Sequence, residues 1–233
     1  WDFGDGRTES LQPGAQAVHS YAGTGTRQVS VQGVFENGGG TCGTVSSTVQ
    51  PGLNVQPAFI SALEMASASE FTFTFTLSDG NSYVLEEQVV GGGFTEVVRL
   101  DASGSFTLNN RDALNSDLCY RLVFYDPCTG DALLSNQVCT VLLQATPGNS
   151  QVDLAWQPYP EAGEFADYQL FRESDVIFET GIISETSFTN SGLACRSYCY
   201  SLQVVLGSGA MVSAPPVCLL PDAGAPLAVP QNL

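Results

Sequence analysis

Hydrophobic and polar residues alternate along much of the chain, and a period of two predicts β-strands. The clearest case is segment 71–78, F-T-F-T-F-T-L-S, in which Phe71, Phe73 and Phe75 share one face and hydroxyl groups occupy the other. We expect these phenylalanines to lie in a core, where burial stabilises each by roughly 1.5 to 3 kcal/mol. No long segment has the period of an amphipathic helix, so the pattern predicts an all-β fold.

Two segments of the chain repeat one pattern. Cys119 to Cys139 has the sequence CYRLVFYDPCTGDALLSNQVC, and Cys199 to Cys218 has the sequence CYSLQVVLGSGAMVSAPPVC. Each begins with Cys-Tyr and an alternating strand, passes through a turn containing Gly, and ends with Val-Cys, so each is predicted to form a hairpin. The alternation directs Tyr120 toward the core and Cys119 away from it.

The hairpins bring their terminal cysteines together, because the start of one antiparallel strand lies beside the end of the other. We expect Cys119 to face Cys139 and Cys199 to face Cys218, with Cα atoms roughly 4.5 to 5.5 Å apart, a separation that a disulfide tolerates. The alternatives are four free thiols, a Cys119–Cys128 bond, or a zinc site, which the lack of C-x-x-C pairs disfavours. The cysteines without an assigned partner are Cys42, Cys128 and Cys195.

Acidic residues outnumber basic residues by 24 to 7, which gives a formal net charge of -17 and a pI near 4.1. Such a chain repels nucleic acid and anionic lipid, so neither is an expected partner. No run of about 18 apolar residues occurs, and membrane insertion is not expected. The paired cysteines favour an oxidising compartment and therefore predict an exported protein, located outside the cell or on its surface.

Proline and glycine clusters divide the chain into modules. Pro51-Gly52 and Pro57 mark one linker, and the repeated hairpin implies units of about 80 to 90 residues. The predicted segments are 1–50, 51–143, 144–221 and 222–233. The last of them, rich in Pro and Ala, is expected to be a linker to a further module.

The N-terminal segment combines W-D-F-G-D-G at residues 1–6 with His-Ser-Tyr at 19–21 and an alternating strand at 29–31. This combination resembles a PKD domain (polycystic kidney disease repeat), whose marks are W-D-F-G-D-G, His-x-Tyr and G-x-Y-x-V-x-L. The resemblance implies an incomplete sandwich over residues 1–50, because the family's first strands precede the W-D-F-G-D-G motif. Arg27 departs from the family, which has an aromatic residue there.

Three features of this segment bear on structure and chemistry. Trp1 and Phe3 alternate onto one face, and we expect both in the core. A calcium site using Asp2 and Asp5 is a weaker alternative to a structural turn, because calcium takes more oxygen ligands than two carboxylates supply. His19 has no second histidine or reactive cysteine at a recognisable spacing, so we expect a structural role for it.

The third module contains an ordered set of strand motifs, Val152–Trp156, Tyr168–Arg172 and Tyr198–Leu202. This order resembles a fibronectin type III domain, whose second strand ends in a core Trp and whose third strand carries Y-x-L/V-x-R. The resemblance covers residues 145–221 and implies that Trp156 lies in the core and that Tyr198 or Tyr200 caps the sandwich. Tyr200 is also an expected core residue. The second module shares only its last two strands with that family, and both are expected to be immunoglobulin-like β-sandwiches.

The sequence contains no recognisable catalytic constellation. It has one histidine and lacks the G-x-S-x-G and H-E-x-x-H motifs. We therefore expect no enzymatic activity and, apart from the calcium alternative, no cofactor. The carboxylates expected to form a solvated acidic surface include Glu86, Glu87, Asp126, Asp131, Glu161 and Glu164.

A PKD-like module followed by fibronectin-like modules with C-Y-R and S-N-x-V-C strands resembles the gliding-motility-associated surface proteins and adhesins of Bacteroidota. In that family such arrays precede a sorting domain of the type IX secretion system. The resemblance implies a stalk or filament segment of an exported adhesin, with neighbouring modules, other cell-surface proteins or secretion components as partners. The alternatives are accessory modules of a secreted polysaccharidase or protease, and a carbohydrate-binding module, which the inward-facing aromatics disfavour.

Overall fold

The computed structural model is all-β in the part of the chain that it describes, residues 1–21, 25–35, 39–49, 55–78, 80–126 and 130–221. The chain divides into two compact units. Unit 1 comprises Trp1–Val55 with Tyr125–Ala132, and unit 2 comprises Gln56–Phe124 with the chain from Leu133 onward. Among these described residues, no helix is long and apolar enough to cross a membrane.

Unit 1 is built on an antiparallel pair, β1 (Arg27–Val31) and β2 (Val45–Val49), and Asp2 bridges to Ser30 of β1. Phe3 is buried in this unit. The prediction that Trp1 is also a core residue is wrong, because its side chain is 38% exposed. A two-stranded sheet offers too little apolar surface to cover both aromatic rings.

The first sandwich contains strands β3 to β10 and lies in residues 59–139. One of its layers consists of β3 (Phe59–Ser67), β4 (Glu70–Thr76) and β7 (Gly104–Asn109). The facing layer consists of β5 (Tyr83–Val89), β6 (Thr95–Leu100), β8 (Leu118–Tyr125), β9 (Ala132–Leu134) and β10 (Val138–Cys139). This three-on-four arrangement, with the last strand broken into two pieces, is immunoglobulin-like.

The second sandwich repeats that arrangement with strands β11 to β18. Its three-stranded layer consists of β11 (Leu143–Gly148), β12 (Gln151–Trp156) and β15 (Ser187–Ser191). The facing strands are β13 (Phe165–Arg172), β14 (Asp175–Thr180), β16 (Tyr198–Leu206), β17 (Met211–Ser213) and β18 (Val217–Leu219).

Aromatic side chains fill both cores. Phe71, Phe73 and Phe75 of β4 are all buried, and the Phe73 ring lies 4.9 Å from the ring of Tyr120 on the facing layer. In the second sandwich the ring of Trp156 lies 5.5 Å from that of Tyr168. Trp156 and Tyr200 are both buried, at 4% and 0% exposure.

The two sandwiches share one sheet, a feature that the sequence analysis did not anticipate. β17 of the second sandwich pairs in parallel with β3 of the first, with Met211 opposite Ala62 and Ser213 opposite Glu64. The result is an eight-stranded sheet in the order β14-β13-β16-β17-β3-β4-β7, with β18 also paired to β16. Each sandwich therefore contributes one of its layers to a common sheet within unit 2.

Replacing Phe73 with alanine is expected to reduce the free energy of unfolding by about 3 to 5 kcal/mol, because it opens a cavity beside Tyr120 in the first core. The matched control is Thr74→Ala, at the neighbouring exposed position of β4, where the change is expected to be within about 0.5 kcal/mol. Urea titrations of both variants measure the difference. Equal effects at the two positions would contradict the inward assignment of Phe73.

Candidate functional site

The candidate site is the junction between the two sandwiches of unit 2. We define it by the polar side chains that bond across or along the boundary, which are Asn136, Gln137, Tyr159, Glu161 and Tyr168. Gln137 Nε2 donates a hydrogen bond of 2.8 Å to Glu161 Oε1. The backbone N–H of Cys139 donates one of 2.7 Å to the Tyr159 hydroxyl. These bonds tie the last strand of the first sandwich to the segment that follows β12.

Tyr159 is the central side chain of the junction and is 2% exposed. Its own backbone N–H donates to the Tyr168 hydroxyl at 2.7 Å, which links it to β13. Burial raises the pKa of the Tyr159 phenol above its ordinary value. The phenol therefore stays neutral at physiological pH, and it provides a buried acceptor for the Cys139 N–H, which would otherwise lack a partner at this point.

Asn136 links the broken last strand of the first sandwich to β3. Its side-chain oxygen accepts the Ile60 N–H at 2.8 Å, and its Nδ2 donates to the Ile60 carbonyl at 2.9 Å. The carboxamide thus occupies both backbone groups of one residue on the outer edge of β3, as a neighbouring strand would. Two residues further along, the same strand pairs with β17.

A disulfide joins Cys119 to Cys139 inside this junction, with Cα atoms 4.0 Å apart. The two residues are directly opposed on β8 and β10. The neighbouring bond from the Thr140 N–H to the Leu118 carbonyl makes the cysteines a non-hydrogen-bonded pair, in which the Cα atoms approach most closely. The Cys119–Cys128 alternative is therefore not formed, and Cys128 itself lies outside the described residues.

The prediction that these cysteines point outward to an exposed surface is wrong for the first pair. Cys119 and Cys139 are both 0% exposed. They do lie on the face opposite Tyr120, but that face is covered in its turn by Tyr159 and Glu161 of the second sandwich. The strand alternation gives the correct face, and contact between sandwiches buries it.

The second disulfide, Cys199–Cys218, has the same local geometry and a different environment. Its cysteines are directly opposed on β16 and β18, with Cα atoms 4.0 Å apart. Cys218 is exposed and Cys199 is partly exposed. No described module covers this face as the second sandwich covers the first bond.

Metal binding at the junction does not follow from its donor set. Within the described residues, the one group of three potential ligands is Cys119, Cys139 and Glu161. Both sulfur atoms belong to the disulfide, and a metal binds the thiolate rather than the disulfide. This arrangement does not provide the zinc site that was the alternative to a disulfide.

Several carboxylates predicted on a solvated surface are paired instead. Glu86 is buried, and its Oε2 lies 2.8 Å from a guanidinium nitrogen of Arg121. Glu87 accepts a 2.6 Å hydrogen bond from the Tyr120 hydroxyl and lies 2.7 Å from Arg111 Nε. A strand period alone does not show that Arg121 of β8 lies opposite Glu86, or that Arg111, in the segment after β7, reaches Glu87. Of the other four, Asp131 is exposed, while Asp126, Glu161 and Glu164 are partly buried.

A pair of carboxyl groups lies on the outer face of the shared sheet. Burial, followed by the hydrogen bond and negative charge of Glu179, raises the pKa of Asp167 above its ordinary value. Gln169 also donates to Glu179, at 3.3 Å. Neither of the two described cavities is lined by this pair.

A cavity of about 250 Å³ lies where the linker between the sandwiches meets the turn before β8. Asp117 is the only ionisable residue among the described residues that line it. Trp156 also contributes to the lining, and its indole Nε1 has no hydrogen-bond partner among the described residues. The lining therefore combines one carboxylate with the hydroxyl groups of Ser116 and Thr140.

The predicted N-terminal site is a packed turn in unit 1. His19 stacks on Phe3 with ring centroids 4.1 Å apart, and His19 Nε2 lies 2.8 Å from Asp5 Oδ2. Asp2 and Asp5 accept backbone hydrogen bonds from Gly4 and Arg7. The two carboxylates are thus occupied by the turn, and the calcium site stays a prediction.

Two other sequence-predicted residues have clear positions. Tyr198 accepts a hydrogen bond from the Ala194 N–H at 3.2 Å, the contact that a tyrosine makes at the corner before this strand of a sandwich. The Tyr200 hydroxyl instead accepts a hydrogen bond of 3.0 Å from Asn190 Nδ2 inside the core. Of the unassigned cysteines, Cys42 and Cys195 are exposed and unpaired in the described part of the chain.

No protein-family model matches the sequence, and no curated protein matches it either. Solved structures with similarity include the central fibronectin-III array of RIM-binding protein, at 12% identity and TM-score 0.32, over 74% of this chain and 71% of that one. The fibronectin(III)-like modules of Clostridium thermocellum CbhA match at 10% identity and TM-score 0.29, over 73% and 90%. The BSP domain of a biofilm associated protein matches at 13% identity and TM-score 0.27, over 74% of this chain and 30% of that one.

The first two of these structures consist of fibronectin-III or fibronectin(III)-like modules. At such identities and TM-scores they say nothing about activity or ligands. The strand order of unit 2 is itself the evidence that the fold is a tandem of fibronectin-III-like sandwiches.

The two disulfides are expected to differ in their reactivity toward a mild thiol reductant. Cys199–Cys218 is expected to be reduced in the native protein, because Cys218 is an exposed residue that a thiol reductant can approach. Cys119–Cys139 is expected to resist until unit 2 unfolds. Alkylation of the released thiols followed by mass spectrometry measures both rates. The same experiment in denaturant is the control, and reduction of Cys119–Cys139 first under native conditions would contradict the burial.

His19→Phe removes the donor and keeps an aromatic ring beside Phe3, and it is expected to raise the pKa of Asp5 toward its ordinary value of about 3.9, because the hydrogen bond from His19 is the main cause of the lowered pKa. With a folded-state pKa below the unfolded one, Asp5 stabilises unit 1 above the unfolded pKa, and this contribution is lost as the pH falls through the folded pKa. NMR titration of the Asp5 carboxyl carbon in both proteins measures the shift. An unchanged pKa would show that the pair is not formed in solution.

Proposed function

We propose that this chain is a structural segment of an exported, multidomain cell-surface protein. The observation that carries the proposal is the sheet shared by two consecutive sandwiches, which joins them through backbone pairing between β17 and β3. A flexible linker would leave two domains free to move, whereas backbone hydrogen bonds hold them in one register. Such coupling serves a module whose task is to position and connect its neighbours.

The disulfides support export. Both bonds close in the two hairpins, and bonds of this kind persist in oxidising compartments. By the chain-entropy estimate, a closed loop of this size stabilises a domain by roughly 3 kcal/mol. The acidic composition keeps such a segment soluble at the high local concentration of a cell surface.

The finer part of the proposal is a stalk or filament section of an adhesin that acts in gliding or surface attachment. It rests on the resemblance of the PKD-like and fibronectin-like modules to such surface proteins of Bacteroidota. Its partners are then the neighbouring modules of a longer chain, other surface proteins, and components of the type IX secretion system. Nucleic acid and membrane lipid are not among them, because the net charge of -17 repels both.

The proposed role is structural rather than enzymatic and uses no cofactor. The cavity of about 250 Å³ in unit 2 has a single carboxylate, and the Asp167 and Glu179 pair lies outside it. Calcium at Asp2 and Asp5 remains the alternative to a purely protein-held turn. Dialysis against chelator followed by calcium titration, monitored by the Asp5 NMR signal, tests that alternative.

Protease treatment of intact source cells is expected to release peptides of this chain, since the proposal places it outside the cell. Mass spectrometry without reduction then tests the compartment directly. Trypsin cleaves after Arg121, between Cys119 and Cys139, so an intact bond is detected as two linked peptides. A cytosolic marker protein is the control. Recovery of the chain only from lysed cells, with all of its thiols free, would overturn the proposal.

A further inference from the structure

The pairing between β3 and β17 joins the first strand of unit 2 to one of its last two described strands. β3 begins at Phe59, shortly after unit 2 starts at Gln56, and β17 and β18 are the last two strands of the described chain. β17 runs parallel to β3. Tension on the two ends of unit 2 therefore pulls β3 backward. At the other end the Cys199–Cys218 bond transmits the load to β16, and β16 pulls the paired β17 in the opposite direction along the same axis.

This geometry loads the rungs between the strands in shear. Met211, Val212 and Ser213 lie opposite three consecutive residues of β3. In shear the hydrogen bonds between the two strands, which we call the rungs, bear the force together. In a peeling geometry they would break one after another. The parallel direction of the pair is what produces shear, because an antiparallel pair pulled from the same two ends of the chain would be loaded from one end.

The backbone groups that form these rungs can be assigned from the other side of β17. Leu206 N–H donates to the Ala210 carbonyl, and Ala214 N–H donates to the Leu202 carbonyl, both at 2.9 Å. The backbone N–H and carbonyl groups of the even-numbered positions in β17 and its flanks therefore point toward β16. Alternation then directs the N–H and carbonyl groups of Met211 and Ser213 toward β3.

Two further contacts increase the resistance of the β3–β17 pair to separation under tension. Asn136 holds both backbone groups of Ile60, so the N-terminal part of β3 is fixed to the first sandwich just before the β17 rungs begin. At the other end, the Cys199–Cys218 bond encloses β17 in a covalent loop with a sequence separation of 19. Tension entering after β18 passes through Cys218 to Cys199 and β16, so β17 cannot be pulled out of its own hairpin.

We propose that the β3–β17 pair is a mechanical clamp that makes the two sandwiches yield to tension as one unit. The clamp holds unit 2 closed until its rungs rupture together, and both sandwiches then lose their shared sheet in the same event. The inference extends the proposed structural role, since a surface-attached segment is loaded along its chain. The clamp itself is a property of the isolated protein and does not depend on the cellular location.

The test is single-molecule stretching of the full 233-residue chain, oxidised and held by identical handles at both termini. The expected record has one major rupture for unit 2. Its increase in contour length equals that of both sandwiches without the residues inside the two disulfide loops. Two separate ruptures of the native chain, one for each sandwich, would overturn the clamp.

Met211→Pro removes one N–H that faces β3 and is expected to lower the rupture force and to separate the event into two. Met211→Ala is the matched control, because it removes the 43% exposed side chain and keeps the N–H. The alanine variant is expected to rupture at the force of the native chain. An equal force for native and proline proteins, or an equal loss in both variants, would contradict the assignment of the force to these backbone bonds.

A second variant keeps the test decisive if the proline protein does not fold. Ala62→Cys with Met211→Cys places two cysteines at directly paired positions of β3 and β17. The oxidised staple is expected to abolish the rupture in the native force range, and a reductant restores it. A native-like rupture with the staple closed would show that unit 2 yields elsewhere. Either result leaves the cell-surface location to be decided by protease treatment of intact cells.

Discussion

The parallel pairing of β17 with β3 is the contact on which the organisation of unit 2 depends. An open strand edge presents unpaired N–H and carbonyl groups, and a soluble protein must cover that edge or protect it. In the first sandwich the outer edge of β3 is covered twice, by the Asn136 carboxamide at Ile60 and by β17 at the residues that follow. The second sandwich therefore completes the first one as well as following it in sequence.

This pairing accounts for the hydrogen-bonded polar groups at the junction, of which Tyr159 and Tyr168 are buried. Once β17 lies against β3, the segment after β12 is brought onto the outer face of β8 and β10. Backbone groups that would face water in a lone sandwich then need internal partners, because an unpaired buried polar group costs roughly 1 to 3 kcal/mol. The Tyr159 hydroxyl supplies such a partner to the Cys139 N–H, while Gln137 and Glu161 pair with each other through their side chains.

The two disulfides show how position alters the properties of one local motif. Both join directly opposed residues of the strand pair at the end of a sandwich, and both have the same Cα separation of 4.0 Å. The first is enclosed by the next sandwich, while the second includes an exposed residue, Cys218. The same disulfide geometry thus occurs once as a buried bond at the junction and once as a more exposed bond near the end of the described chain.

Local periodicity was sufficient to predict features that depend on neighbouring residues. The period of two in segment 71–78 indicated which phenylalanines are buried, because alternation alone assigns the faces of a strand. The register of a hairpin likewise placed Cys119 opposite Cys139. The repeated order of strands and turns indicated tandem sandwiches, since each sandwich is formed from residues close together in the chain.

The errors all concern surfaces that a distant segment covers or leaves open. Trp1 shares a face with Phe3, but the small sheet of unit 1 does not cover its ring. Glu86 was assigned to a solvated surface, and Arg121 on the neighbouring strand makes it a buried ion pair. Cys119 was assigned to an outer face, which another sandwich encloses.

The amino-acid sequence by itself predicted the β-strand pattern, the inward face of β4 and the facing of the paired cysteines, because each depends on alternation and short-range register. The tertiary structure alone decided that β17 would complete the edge of β3 across about 150 residues. Any exposed edge offers the same backbone hydrogen bonds whatever its side chains, so no local pattern specifies which strand will occupy it.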